Sequence, residues 1–393
     1  MIRVGFVLNF RNNEWLGGIN YYRNLITAIC ANPETNLEPV IFVGCDSDIK
    51  FSECFSGIQI VKSHIFNSNH PASLVRLILR KILHRDIVLE RLLKQYKISV
   101  LSHVGSLGRT SSVPTIGWIP DFQHKYLPGF FSKNEISVRD RNFKLTCSEC
   151  TRVIFSSNTA KSDAEKFYPK YAKKYQVLRF VTSYMDFSGL PDFNALKMKY
   201  SIKEPYFIVP NQFWVHKNHM VILEALDILK IRGYPVTVVA TGNTVDYRQP
   251  GYFGELLQKI QNCHISENFI AIGIVPYKEL IQLMIHSIAV INPSLFEGWS
   301  TSVEEAKAMN LKVILSDIPV HREQNPRRGI FFPPHDPEQL ARILLESLQN
   351  TTEQQGIEQS ITFFEKLKEQ QKIFASSYER IVLDTLDKTI LKE

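Results

Sequence analysis

Short apolar runs of strand length alternate with longer stretches whose apolar positions recur every three or four residues. The first run spans Arg3 to Asn9 and is followed by a loop with Gly17 and Gly18, then an amphipathic stretch from about Asn20 to Ala31. A second run covers Pro39 to Gly44, and others fall at Val100–His103, Thr115–Ile119, Val153–Ser156 and Gln176–Leu178. Strands alternating with helices predict a parallel sheet covered by helices on both faces.

Gly189, Pro191 and Pro205 break this rhythm, so 187–204 reads as a linker. A second series then begins with strands at Tyr206–Pro210, Pro235–Gly242, Asn268–Gly273, Ile288–Ser294 and Lys312–Asp317, with helices between them. The C-terminal third is helical and ends in a long polar amphipathic stretch, Ile361 to Leu391. The expected organisation is a domain at 1–186, the linker, and a second domain at 205–372, with a terminal helix at 373–393 completing the first domain. Two doubly wound domains facing across a cleft would bind their ligand at the carboxyl ends of their strands. Residues just after strands are therefore the ones to weigh.

At 393 residues the chain is long enough for two such cores, and 44% hydrophobic with 22% charged residues is ordinary globular composition. The net charge of +7 suits anionic partners, although a plain lysine excess on a solvated surface accounts for it equally. The opening MIRVGFVLNFRNN has too short an apolar run for a signal peptide, and no stretch is long enough to span a bilayer. The expectation is a soluble or peripheral, cytoplasmic protein. Six cysteines do not suggest a disulfide framework. Cys147 and Cys150 form a C-x-x-C, but no second ligand pair follows at zinc-site spacing, so they read as small residues on a helix.

The stretch richest in chemistry is NPSLFEGWSTSVEEAK, Asn292–Lys307, which leaves a strand and enters a helix. Gly298, Trp299, Ser300 and Thr301 can present backbone N–H groups near a helix N-terminus, where the aligned dipoles favour an anion. Two carboxylates, Glu297 and Glu305, flank that position. They are tolerable beside an anion if they accept hydrogen bonds from hydroxyls, which a sugar and a ribose supply. Acidic residues satisfying a helix start would explain Glu304 and part of Glu305, but not Glu297, which precedes the loop.

The E-x7-E of Glu297 and Glu305, within FEGWSTSVEEAKA, resembles the signature of retaining family-4 glycosyltransferases with the GT-B fold, the glycosyl transferases group 1. The resemblance implies that Glu297 contacts the donor sugar and Glu305 the nucleotide ribose, with neighbouring amides on sugar or phosphate. Gly17-Gly18 is similar to the family's glycine loop, where small residues let backbone approach the donor phosphate. Lys217, in NQFWVHKNH, is similar to the family's lysine that neutralises the leaving diphosphate. The family usually has an arginine five residues earlier, where this chain has Gln212, which can donate a hydrogen bond but carries no charge. Either His216 or Arg179 compensates, or neither does. Asp121 and His124, in WIPDFQHKYLP, stand where the family often carries an H-D or related pair contacting the donor sugar. Pro120 occupies the position of the usual histidine. A lone loop histidine is otherwise a surface residue. Ser156-Ser157, Gly242 and Gly273 also fit the family pattern, as backbone geometry at strand ends.

The resemblance implies retaining transfer of a sugar from a UDP- or GDP-sugar to a glycan or lipid-linked acceptor, without metal or other cofactor. A GT-B-fold sugar-nucleotide epimerase and a non-catalytic sugar-nucleotide-binding subunit remain the alternatives. Asp46-Ser47-Asp48 is a D-x-D of the kind that binds metal in GT-A transferases, or else a solvated turn. Leu74–Lys97 combines an apolar stripe with Arg76, Arg80, Lys81, Arg85, Arg91, Lys94 and Lys97. It reads either as a helix on the inner face of an anionic membrane or as a domain helix with a basic outer face. Nucleic acid is not expected, since no aromatics interleave the charges and no groove-reading motif occurs. A nicotinamide dehydrogenase is disfavoured because no G-x-G-x-x-G follows the first strand.

Overall fold

The computed structural model describes residues 1–8, 16–47, 55, 57–182, 187–350 and 361–387. The chain divides into two compact units. The first comprises Met1–Lys125, Ser132–Tyr184 and Phe364–Glu393, and the second Tyr126–Phe131 and Met185–Phe363.

The first unit is built on seven strands: β1 (Ile2–Val7), β2 (Leu37–Val43), β3 (Gln59–Lys62), β4 (Val100–Ser102), β5 (Thr115–Ile119), β6 (Arg152–Phe155) and β7 (Tyr175–Val177). They form one parallel sheet in the order β3-β2-β1-β4-β5-β6-β7. Among its helices are α1 (Leu16–Ala31), α2 (Pro71–Leu83), α3 (Ile87–Gln95), α4 (Lys133–Glu149) and α5 (Asn158–Phe167). Gly17 and Gly18 lie in the first turn of α1 rather than in a loop before it, because the helix starts at Leu16. The basic stretch is two helices, α2 and α3, parted by His84 in the left-handed conformation.

The second unit holds β8 (Tyr206–Pro210), β9 (Thr237–Thr241), β10 (Phe269–Gly273), β11 (Val290–Asn292), β12 (Val313–Ser316) and β13 (Gly329–Phe332), parallel in the order β10-β9-β8-β11-β12-β13. Its helices include α6 (Phe193–Tyr200), α7 (His219–Ile231), α8 (Tyr252–Asn262), α9 (Tyr277–Ile285), α10 (Thr301–Ala308), α11 (Pro319–Gln324) and α12 (Pro337–Gln349). The strand period of two divides its core: Phe207 and Val209 of β8 enter one apolar cluster, Tyr206 and Ile208 the other. The stretch read as a linker contains α6, whose Leu196 is buried in the second of these clusters.

The long final helix, α13 (Ile361–Leu386), buries Phe374, Tyr378 and Val382 at four-residue spacing. Its Glu379 accepts the Asn36 N–H at 2.8 Å, and Lys372 pairs with Glu34 at 2.8 Å, which ties it to the turn between α1 and β2. Cys147 on α4 and its C-cap Cys150 are both buried. Burial pushes their thiols up to about 11 and about 12, so neither is poised as a nucleophile or ligand.

Candidate functional site

The strand order of the second sheet reverses between β8 and β11, and the site lies beyond their carboxyl ends. After β8 the chain makes a 3-10 turn, Val215–Lys217, and enters α7 through Asn218 in the left-handed conformation, φ 55°. Asparagine tolerates that region better than most residues. Its side chain also works there, donating to Pro293 O at 3.1 Å and Pro334 O at 2.8 Å. The Leu295 N–H donates to His216 O at 2.8 Å. The turn after β8 is thus laced to the loop after β11.

That lacing brings Lys217 Nζ to 2.5 Å from Glu297 Oε1, with 14% and 9% of the two side chains exposed. Ser294 Oγ lies 2.6 Å from the same carboxylate oxygen and 2.7 Å from Asn292 Oδ1. With one proton, the hydroxyl can serve only one of them at a time. Lysine and glutamate neutralise each other at the mouth of the sheet.

Ser300 ends the loop as the N-cap of α10. Its hydroxyl accepts from Val303 N and from Asn292 Nδ2, while its own N–H donates to Gln324 Oε1 at 3.3 Å. Gln324 also donates to Glu304 Oε1, which Lys307 reaches at 2.9 Å. Ser300 and Glu304 are therefore held in the wall of the loop, whereas Gly298, Trp299 and Thr301 are half-buried at its surface. Glu305 is buried and takes a hydrogen bond from Tyr277 OH at 3.1 Å. Burial raises its carboxyl to about 7, against the lowering effect of that hydrogen bond.

Gln212, at the position of the family's arginine, uses its carbonyl to accept the Asn243 N–H at 2.8 Å. His216 is buried and pushed well below the usual imidazole range by desolvation and then by Lys217 and Arg248. A neutral imidazole cannot replace the missing cation. Gly242 has φ 147°, and a Cβ there would collide with the Asn211 carbonyl, so this glycine permits two loops to touch.

In the first unit, Asp121 Oδ1 accepts the Gln123 N–H at 2.8 Å at the start of a short helix, Gln123–Tyr126. His124 points inward: its side chain is fully buried, 2.9 Å from Asp140 on α4 and edge-on to Phe143. Desolvation lowers its pKa and Asp140 opposes this, so the ring is buried against residues of its own domain. Ser157 caps α5, and Ser156 holds the Trp118 indole N–H at 3.1 Å. Arg179 is exposed. Asp48 of the D-x-D lies outside the described residues.

Sequence reasoning missed several residues of this site. Tyr277, Gln324 and Asn218 come from separate loops and helices, and no local spacing links them to Glu297. His321 was missed too. It is buried, with Nδ1 2.8 Å from Ser316 O, and its imidazole is lowered to about 4 by burial while sensing both Glu297 and Lys217.

The chain resembles known proteins in sequence and in fold. Residues 193–361 match the family Glycosyl transferases group 1. An O-antigen chain mannosyltransferase, RfbU of Salmonella typhimurium, is 25% identical over 193 residues, 49% of this chain and 50% of its own length. The chain thus spans about half the length of that curated relative. Among solved structures, a glycosyltransferase from Rickettsia africae superposes with TM-score 0.65 at 17% identity, covering 100% of this chain and 99% of its own. Anabaena HepE in complex with UDP-glucose gives 0.63 at 14%, covering 99% and 98%. The chain has the fold of the GT-B glycosyltransferases, and its second unit carries the match to the Glycosyl transferases group 1.

Proposed function

We propose that this protein is a retaining glycosyltransferase that moves a sugar from a UDP- or GDP-sugar to a glycan or lipid-linked acceptor in cell-surface polysaccharide assembly. One observation carries the reading: the Lys217–Glu297 contact at the switch point of the second sheet, beside the buried Glu305. Lys217 meets the leaving diphosphate and stabilises its developing charge. Glu297 then turns to hydroxyls of the donor sugar, and Glu305 accepts those of the ribose. Half-buried Gly298, Trp299 and Thr301 border the phosphate. His124, by contrast, holds the fold of its own domain. Gln212 and Gly242 shape the floor through the loops after β8 and β9. The acceptor hydroxyl attacks the sugar face that the phosphate leaves, and a departing phosphate oxygen takes its proton. Lys217 is the cation of the proposed step, which uses no metal ion.

Incubation with a panel of UDP- and GDP-sugars and a lipid-linked glycan fraction tests this. Acceptor-dependent release of free nucleoside diphosphate supports transfer. A changed sugar still joined to its nucleotide points to an epimerase, and binding without turnover to a silent subunit.

The proposed role of Glu305 makes nucleotide affinity depend on pH. Burial makes its carboxyl titrate at about 7 rather than near its ordinary 4.5. The folded protein therefore holds a proton that the unfolded chain releases, and this stabilising contribution fades as pH rises from 4.5 to 7. Ribose hydroxyls favour the charged carboxylate, so nucleotide binding releases the proton and affinity should rise as pH is taken through 7. Calorimetry at pH 6 and pH 8 should show that rise largely removed in Glu305→Gln; an unchanged pH slope would remove Glu305 from the ribose.

The acceptor reading extends to α2. This helix exposes Leu74, Val75, Leu77, Ile78, Ile82 and Leu83, with Leu77 and Ile78 each 57% and Ile82 67% exposed. Contiguous apolar exposure of this kind marks an interaction surface. The basic residues behave differently from a plain basic stripe. Arg76 pairs with buried Asp86 at 2.8 Å and Arg85 with buried Glu90 at 2.6 Å, so both brace the domain. Lys81, Arg91, Lys94 and Lys97 remain exposed. We assign the apolar face to an anionic membrane surface, entering the acyl boundary while those lysines and arginine meet headgroups. Serine at Leu77, Ile78 and Ile82 together should weaken co-sedimentation with phosphatidylglycerol vesicles by about tenfold or more, since each buried methylene contributes to insertion. Equal sedimentation of parent and variant would remove α2 from the membrane.

A further inference from the structure

We infer that Asp246 and Arg248, in the loop after β9, are positioning residues for Lys217. This rests on the proposed role of Lys217 at the leaving diphosphate. A lysine is a point charge on a flexible four-carbon stem, so its backbone must be fixed if its charge is to meet one phosphate position. Glu297 and Asn218 hold the turn from the side of β11. From the other side, residues 242–248 lie along 211–217 as a strap.

The strap is joined at successive points. Asn243 donates its N–H to Gln212 Oε1 at 2.8 Å, and its carbonyl accepts the Phe213 N–H at 2.9 Å. Asp246 Oδ2 accepts the Val215 N–H at 3.2 Å, at the first residue of the turn that ends in Lys217. The other Asp246 oxygen accepts from Arg248 N at 3.0 Å and faces Arg248 Nε at 3.4 Å, with only 2% and 5% of the two side chains exposed. The Arg248 guanidinium lies 5.1 Å over the Trp214 ring, and its Nη2 points to His216 Nδ1 at 3.4 Å. A guanidinium can only donate, so His216 accepts through Nδ1, in keeping with its neutral imidazole. Every residue from Gln212 to His216 thus touches the strap through backbone, side chain or ring. Gln212, standing where a phosphate-binding arginine is usual, has its carbonyl committed to it.

Inorganic pyrophosphate, which depends on neither base nor sugar, is the probe. Its affinity is measured by titration calorimetry on the full chain for the parent, Lys217→Ala, Arg248→Met, Asp246→Asn, and each strap variant combined with Lys217→Ala. Methionine keeps the apolar stem of Arg248, and asparagine the shape of Asp246. Melting temperatures confirm that each variant is folded. Arg248→Met and Asp246→Asn should each weaken binding by about fivefold in the parent and by less than about twofold when Lys217 is already alanine, because residues acting through one another are not additive. The same fold-loss in both backgrounds, or no loss in the parent, overturns the inference. Full binding by Lys217→Ala would instead overturn the diphosphate reading and the strap's role together. Where Lys217→Ala binds too weakly to titrate, hydrogen exchange decides. Exchange at the Val215–Lys217 amides should accelerate in both strap variants, and unchanged exchange there contradicts the inference.

Discussion

Lys217→Ala is expected to lower glycosyl transfer by about 10²- to 10³-fold, the scale of removing one preorganised charge from a developing oxyanion. The geometry makes the loss larger than that of a solvent-exposed cation. Lys217 Nζ is 2.5 Å from Glu297 Oε1 and largely shielded, so its removal leaves a carboxylate facing the position proposed for the diphosphate. The fold should tolerate the change, because Ser294 can still donate to Glu297 and the turn keeps Asn218 and the Leu295–His216 hydrogen bond. Nucleoside diphosphate release under saturating donor, with melting temperature as the fold control, checks it. Undiminished turnover would remove Lys217 from the leaving group.

Glu297→Ala should behave differently. Turnover should fall by about 10²-fold or more if the carboxylate orients the sugar only as the reaction proceeds, since an interaction confined to the transition state is lost from kcat. Free nucleoside diphosphate should bind as tightly as to the parent, or more tightly. Glu297 holds the charge of Lys217, and an incoming phosphate must compete for it; alanine lifts that competition. Steady-state kinetics with calorimetry on the nucleoside diphosphate separates the two effects. A variant that loses nucleotide affinity while keeping kcat would place Glu297 at the nucleotide instead of the sugar.

Some of this was legible in the sequence. The strands of both sheets that bury two faces, such as Tyr206–Pro210 and Val153–Phe155, stand out as unbroken apolar runs. The edge strands Gln59–Lys62 and Gly329–Phe332 were not seen, because QIVK fully buries only Val61 and GIFF only Phe332, too few for a periodic signal. Glu297 and Glu305 were legible because one strand, one loop and one helix carry both. Gly17 and Gly18 were misplaced because glycines read as a loop, although the helix begins before them. The burial of His124 was not legible for a related reason: its partner Asp140 lies 16 residues away on a helix that gives no local sign of facing it. The basic character of Leu74–Lys97 was plain in the sequence, but not that Arg76 and Arg85 turn to buried carboxylates while the apolar side faces out. Asp246 and Arg248 lie in a loop without periodicity, so only tertiary contacts reveal them.

The central claim is that the second unit holds a nucleotide-sugar through Lys217, Glu297 and Glu305. Thermal unfolding of the full chain, of Lys217→Ala and of Glu305→Ala, each with a panel of UDP, GDP and their sugars, tests it most directly, because a ligand of the native state raises its melting temperature. The account predicts that one nucleoside diphosphate and at least one of its sugars raise the melting temperature of the parent, and that either substitution sharply reduces the shift. A panel that leaves the parent unshifted, or shifts both variants as much as the parent, would contradict it.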